Sequence, residues 1–275
     1  MPLAPLPDRA VVSVSGADAT SFLQGLLTCN VESLPEGEAR LGALLSPQGK
    51  ILFDFLVSRD GDGFRLDAPR DRAADLVKRL SLYRLRAKVT VAETPLAVLA
   101  GWDAPAPDGA LRDGRLPELG WRLYRPDAEA PAGDATAAAY HAHRVALAVP
   151  ESGADYALGD AFPHEAGMDQ LGGVDFRKGC YVGQEVVSRM QHRGTARTRI
   201  VGLAYRDGVA AAPGAPVTAG QRTLGQTGSA AGSRGLALLR LDRLSDALAA
   251  GEAVEVEHRP VAVEKPAYAN FGFPG

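Results

Sequence analysis

The amino-acid sequence predicts an α+β protein of two successive α/β modules, residues 1–95 and 96–196, followed by a small β-barrel over residues 197–275. Three observations predict it. Runs of strand period alternate with two helical stretches between residues 9 and 93. A second group of strand-like runs then leads into a further helix. Beyond residue 197 the chain breaks into short strands spaced evenly by turn residues.

The elements follow in order. RAVVSVSG reads as a strand, and Asp18 stands where it can cap a helix through ATSFLQGLLT. ARLGALLS and ILFDFLVS read as strands around the turn PQGK, and GDGFRLDAP as a third strand after its own turn. RDRAADLVKRLSLYRL carries apolar residues at 76, 77, 80 and 83, the spacing of an amphipathic helix, and RAKVTVAE closes the first module as a strand. PLAVLAGW and LGWRLYRP are the strands of the second module, separated by a Pro, Gly and Ala-rich break, and ATAAAYHAHRVALAV behind Asp134 reads as a helix. The last region offers RIVGLAYRDG, APVTAG, RTLGQTGSAA, GLALLRL, AVEVEHR and PVAVEK as strands, with one helix, RLSDALAA, ended by Gly251.

Composition narrows the function. Hydrophobic residues make up 46% and charged residues 23%, the balance of a chain that buries its own core, so disordered and fibrous classes drop out. A net charge of −3 gives no global field for a polyanion, and no nucleic-acid partner is expected. No apolar run is long enough to cross a membrane, and MPLAPLPDRAVVSVSG lacks a basic segment leading into an apolar one, so a cytoplasmic location is expected. Two cysteines, Cys29 and Cys180, make neither a disulfide framework nor a C-x-x-C metal spacing. His141 and His143, two apart on a helix, face different ways and do not share a metal. No G-x-S-x-G, P-loop or dinucleotide fingerprint is present.

Two places hold chemistry. In FRKGCYVGQEVVSRM, Cys180 follows Lys178 and precedes a helix start at Gln184 and Glu185; a lysine and a helix N-terminus both favour a thiolate, whereas most cysteines are small apolar fillers. Gly179 and Gly183 permit left-handed backbone or close approach. Lys178, Arg189, Arg193, Arg197 and Arg199 face one acid, Glu185, and such a cluster can hold a carboxylate or phosphate tail or be a solvated face. In ILFDFLVS, Ile51, Phe53, Phe55 and Val57 share one face and Leu52, Asp54, Leu56 and Ser58 the other. A carboxylate there is either costly and chemically useful or at an edge open to water.

KGCYVGQE, preceded by FPHEAGMDQLGGVDF, resembles the signature of the YgfZ family, the folate-binding branch of the glycine-cleavage T-protein superfamily. FLQGLLTCNV, SPQGKILFDFLV and LYRLRAKV extend the similarity over nearly the whole chain. The resemblance implies two ferredoxin-like-type α/β modules and a C-terminal barrel in a ring around a central cavity that binds tetrahydrofolate or a one-carbon derivative. It implies an accessory role in iron-sulfur cluster assembly or repair, supporting cluster enzymes such as tRNA-modifying ones, with folate and cluster assembly or client proteins as partners. The motif positions are Lys178, Gly179, Cys180, Tyr181, Gly183, Gln184 and Glu185, and Asp54 stands where T-proteins hold a catalytic aspartate. A folate needs a carboxylate for its pterin edge and cations for its tail, which Asp54 and Arg86, Arg189 or Arg193 would supply. The alternative is a folate-dependent aminomethyltransferase with Asp54 as base; LGWRLYRP, lacking the acid of the comparable T-protein strand, argues against it.

Overall fold

A computed structural model describes residues 2–274. The chain divides into two compact units, one running up to Tyr140 and resuming over Leu171–Val186, the other made of His141–Gln170 and the chain from Val187 onward. The expected α+β class and the C-terminal barrel are both found.

The first unit is built on one nine-stranded sheet. Its strands are β1 (Leu3–Pro5), β2 (Arg9–Ser15), β3 (Glu38–Leu45), β4 (Ile51–Asp60), β5 (Gly63–Pro69), β6 (Thr90–Thr94), β7 (Leu96–Gly101), β8 (Leu111–Asp113) and β9 (Trp121–Pro126), in the order β1-β7-β9-β8-β3-β4-β5-β2-β6. Strands from both sides of residue 95 therefore share one sheet, joined through the parallel pair β3–β8. Two helices, α1 (Ala19–Gln24) and α2 (Arg70–Arg84), bring Leu23, Leu76 and Leu80 onto Phe53, Phe55 and Val57 of β4 and onto Val12 and Val14 of β2. Val11, on the opposite side of β2, packs instead with Val98, Tyr124 and Tyr140, so both faces of this strand are buried and its sequence reads as an almost unbroken apolar run.

Local chemistry sets the helix ends. α1 stops at Gln24, four residues before the end of the predicted helix, and Gly25 follows it. Asp18 occupies the N-cap position without capping, because its carboxylate accepts the Lys88 backbone N–H at 2.7 Å. The strand expected from residue 86 begins at Thr90, since residues 84–87 form a tight turn closed by Ala87 N–H to Arg84 O at 2.7 Å.

A buried polar cluster lies among the strands of this unit. Asp67 accepts from Arg9 Nε at 2.7 Å and from the Tyr124 hydroxyl at 3.2 Å. Asp113 accepts from Arg115 Nε and Nη2 at 3.0 and 2.7 Å, and both Arg115 and Arg122 donate to the Tyr140 hydroxyl. Burial works to raise the Asp113 carboxyl, but the Arg115 and Arg122 guanidiniums outweigh it and hold the group below its ordinary 3.8.

The second unit is organised by a closed barrel of β10 (Thr198–Tyr205), β11 (Pro216–Ala219), β12 (Arg222–Ala231), β13 (Arg234–Arg240), β14 (Val254–Val256) and β15 (Arg259–Glu264), in the order β10-β13-β12-β11-β14-β15. Val201, Leu203, Val217, Leu224 and Leu239 fill it, and α5 (Leu241–Ala249) adds Leu244 and Ala247. Closure through β10 and β15 leaves no open edge in this sheet. Arg144, 3% exposed, ties the preceding segment to the barrel by donating to Asp155 at 2.9 Å and to Ser229 at 2.7 Å. Two more helices, α3 (Ala137–Ala146) and α4 (Gln184–Arg193), lie where the sequence placed them.

Because Asp113 is depressed in the folded state, its stabilisation is complete above about pH 4 and is lost as pH falls through the folded value. Asp113→Asn should lower stability at pH 7 by about 3 kcal/mol, since it leaves two buried guanidiniums poorly compensated, and should flatten the acid limb of a denaturant-derived stability profile.

Candidate functional site

The segment leading into the motif is set by backbone hydrogen bonding before any of its side chains act. Thr28 accepts the Ala43 N–H of β3 at 2.9 Å and donates to Gly173 O at 2.6 Å, and the Asp175 N–H donates to Thr28 O at 2.9 Å. The Asp175 carboxylate then accepts the N–H groups of Arg177 and Lys178 at 2.8 and 3.2 Å, an Asx turn that reverses the chain. This turn delivers Lys178 inward.

Lys178 is 7% exposed, and its ammonium donates to three carbonyls, that of the last α1 residue, Gln24, at 2.7 Å and those of Leu27 and Cys29 beyond it at 2.6 and 2.9 Å. An ammonium has three N–H groups, so this arrangement uses all of them. Burial lowers Lys178 from its ordinary 10.5, against the opposing pull of Cys29 and Asp175. The lysine expected to favour the Cys180 thiolate or to hold a folate is in this structure a tie between distant parts of one unit.

Tyr181 is buried, its ring 5.3 Å from the Lys178 ammonium, and its hydroxyl is enclosed without a hydrogen-bond partner among the described residues. Burial first, and Asp175 second, push that hydroxyl up to about 12. Gly183 has φ +80°, and a Cβ there would come within 2.4 Å of Ser46 O in the β3–β4 turn. Gly49, the φ +81° residue of that turn, faces back toward Gly183 and Val186. Two glycines thus allow the hairpin turn and the start of α4 to meet at backbone distance. Gln184 is half-buried in the first turn of α4 and Glu185 is exposed.

Between these fixed residues Gly179 and Cys180 are exposed, and a Cβ on Gly179 would meet nothing within 4 Å. Cys29 differs from Cys180 in every respect. Its thiol is fully buried, burial pushes it up to about 11 against the Lys178 charge, and its Sγ would stand 2.6 Å from a Cβ on Gly42. The chain therefore has one inert, packed thiol and one displayed thiol.

Asp54 is 7% exposed and stands opposite Ala43 of β3, so the position is buried and not open to water. Ala43 is the residue whose N–H reaches Thr28, which places Asp54 one strand away from the stretch that Lys178 holds. Arg86 stands in the exposed turn after α2, and Arg189 and Arg193 are exposed on α4. The structure thus joins Lys178, Tyr181 and Gly183 into one framework within the first unit, and the three arginines are not part of it. Sequence reading missed Thr28, Asp175 and Gly49; Asp-x-x-Lys ahead of the motif was the signal for the Asx turn.

Two roles separate by substitution. Lys178→Met should cost about 3 kcal/mol by stranding carbonyls that the ammonium now satisfies, and Gly183→Ala a similar amount by overlap and positive φ. Cys180→Ser should leave the unfolding free energy from denaturant titration within about 0.5 kcal/mol of the parent, as expected for an exposed side chain.

Comparison with known proteins places this geometry. Residues 197–271, which contain all six barrel strands, match the family model for the CAF17 C-terminal beta-barrel domain. The chain is 34% identical over 287 residues to the mitochondrial "Iron-sulfur cluster assembly factor IBA57 homolog" of Pyricularia oryzae, covering 90% of this chain and 74% of that protein. It is also 34% identical to the human mitochondrial "Iron-sulfur cluster assembly factor IBA57", covering 88% of this chain and 78% of that one. Among solved structures, the glycine cleavage system aminomethyltransferase T of Bartonella henselae superposes with a TM-score of 0.75 over 99% of this chain and 87% of its own, at 17% identity, which shows a shared fold. The expected cytoplasmic location is corrected by these relatives, which are named as mitochondrial proteins: the composition of an N-terminal stretch carries no address by itself. On identity and coverage, the chain belongs to the family of the iron-sulfur cluster assembly factor IBA57.

Proposed function

We propose that this protein is an accessory factor in iron-sulfur cluster assembly or repair whose working group is the Cys180 thiol, and that it binds a reduced folate. The observation that carries the reading is the contrast inside the motif. Lys178, Tyr181 and Gly183 are built into the fold, while Cys180 stands exposed between them. A soft thiolate suits iron, and the relatives are named for cluster assembly. One displayed thiol does not make a four-cysteine site, and the buried Cys29 does not add to it. A cluster held here takes its remaining ligands from a partner, or is touched only in passing.

The folate part rests on Asp54, whose buried carboxylate suits the N–H edge of a pterin. The fold neighbour and the same aspartate support a second reading, folate-dependent aminomethyl transfer.

Cells lacking this protein should lose activity in enzymes that need a cluster and regain it when the gene is restored; unchanged activity in the deletion would sink the first reading. Tetrahydrofolate in large excess should raise the melting temperature of the purified chain by stabilising the native state, at about 2.7 kcal/mol for a hundredfold excess over Kd. Release of ammonia and methylenetetrahydrofolate from an aminomethyl-loaded lipoyl carrier would select the second reading.

A further inference from the structure

The end of α2 carries an exposed leucine at positive φ. Arg84, Leu85, Arg86 and Ala87 form the tight turn closed by Ala87 N–H to Arg84 O at 2.7 Å. Leu85 holds its second position at φ 43° and ψ −104°. That is close to the type II′ conformation of about +60° and −120°, which glycine adopts freely and leucine only at a steric cost. Packing does not offset the cost, because Leu85 is 90% exposed. Leu82, one helical turn earlier, is 65% exposed. Five cations surround the pair in sequence, Lys78, Arg79, Arg84, Arg86 and Lys88, with no acid between Asp75 and Glu93. Asp18, the acid that reaches this turn, has its carboxylate on the Lys88 backbone N–H.

We propose that this turn is a docking knob for a partner protein whose surface offers an apolar pocket ringed by carboxylates. Charge complementarity names the ring: a tip with five cations in a chain of net charge −3 is a local field, suited to a local acidic patch. Geometry names the pocket. Leu85 is displayed from a hydrogen-bonded turn in one fixed direction, as a knob for a shaped hole requires. A lipid surface needs no fixed shape, and a nucleic acid would be met by stacking aromatics, whereas Tyr83, the aromatic of this tip, packs against the core of its own unit. The inference is independent of the iron-sulfur reading, since it concerns a contact and not what passes across it.

The test places a benzophenone amino acid at Leu85 in the full chain in cells, with the same group at Leu248, which is 42% exposed on α5, as control. Irradiation should give one dominant protein adduct from position 85, mapped to a peptide rich in Asp and Glu. Adding Arg79→Glu and Arg86→Glu should reduce its yield about tenfold, as opposite charge at a rim becomes like charge. An adduct no stronger than at position 248, one indifferent to the charge reversals, or one with lipid or nucleic acid would overturn the proposal. Leu85→Gly checks the strain argument separately: the melting temperature should stay level or rise, and a fall would assign Leu85 to the fold and not to a partner.

Discussion

The Lys178 ammonium against the carbonyls of Gln24, Leu27 and Cys29 is the contact on which the placement of the motif in the first unit depends. It joins residues about 150 positions apart in the chain and satisfies carbonyls that the short helix α1 and its trailing turn leave without partners. The same stretch fixes Thr28, which reaches β3 on one side and Gly173 on the other. With that staple in place, the Gly183–Gly49 approach sets where α4 starts, and Cys180 has a defined place between two anchored neighbours.

This division of labour accounts for a motif in which buried Lys178 and Tyr181 flank exposed Gly179 and Cys180. A displayed thiol on a mobile loop would be an indiscriminate reductant, whereas one held between a buried lysine and a buried tyrosine is presented in a single setting. The second cysteine shows the contrast, since packing against Gly42 and a thiol pushed up to about 11 remove Cys29 from chemistry.

Much of the fold was legible because it is written in local patterns. The alternation in ILFDFLVS put Phe53, Phe55 and Val57 on one face, which the structure shows to be the core face, and Asp54 on the other, and the turn residues after Tyr205 marked the barrel strands. What sequence period does not encode is which strands meet. Nothing in residues 90–101 reveals that β6 and β7, adjacent in the chain, end up near opposite edges of one sheet. The setting of Lys178 was not legible for a related reason. A lysine beside a cysteine in sequence suggests a charge for the thiol, but its side chain follows the Asx turn inward to carbonyls contributed by a distant segment. Of the two motif glycines, Gly183 makes the close approach, to a partner in the β3–β4 turn that the sequence did not identify, whereas Gly179 has open space around it.

The central claim is that Cys180 works while its neighbours hold. It is tested most directly by restoring the gene to deficient cells as Cys180→Ser and measuring the activity of cluster-dependent enzymes alongside the amount of folded protein. The account predicts normal protein levels with enzyme activity as low as in the deletion. Full activity with serine at position 180 would contradict it.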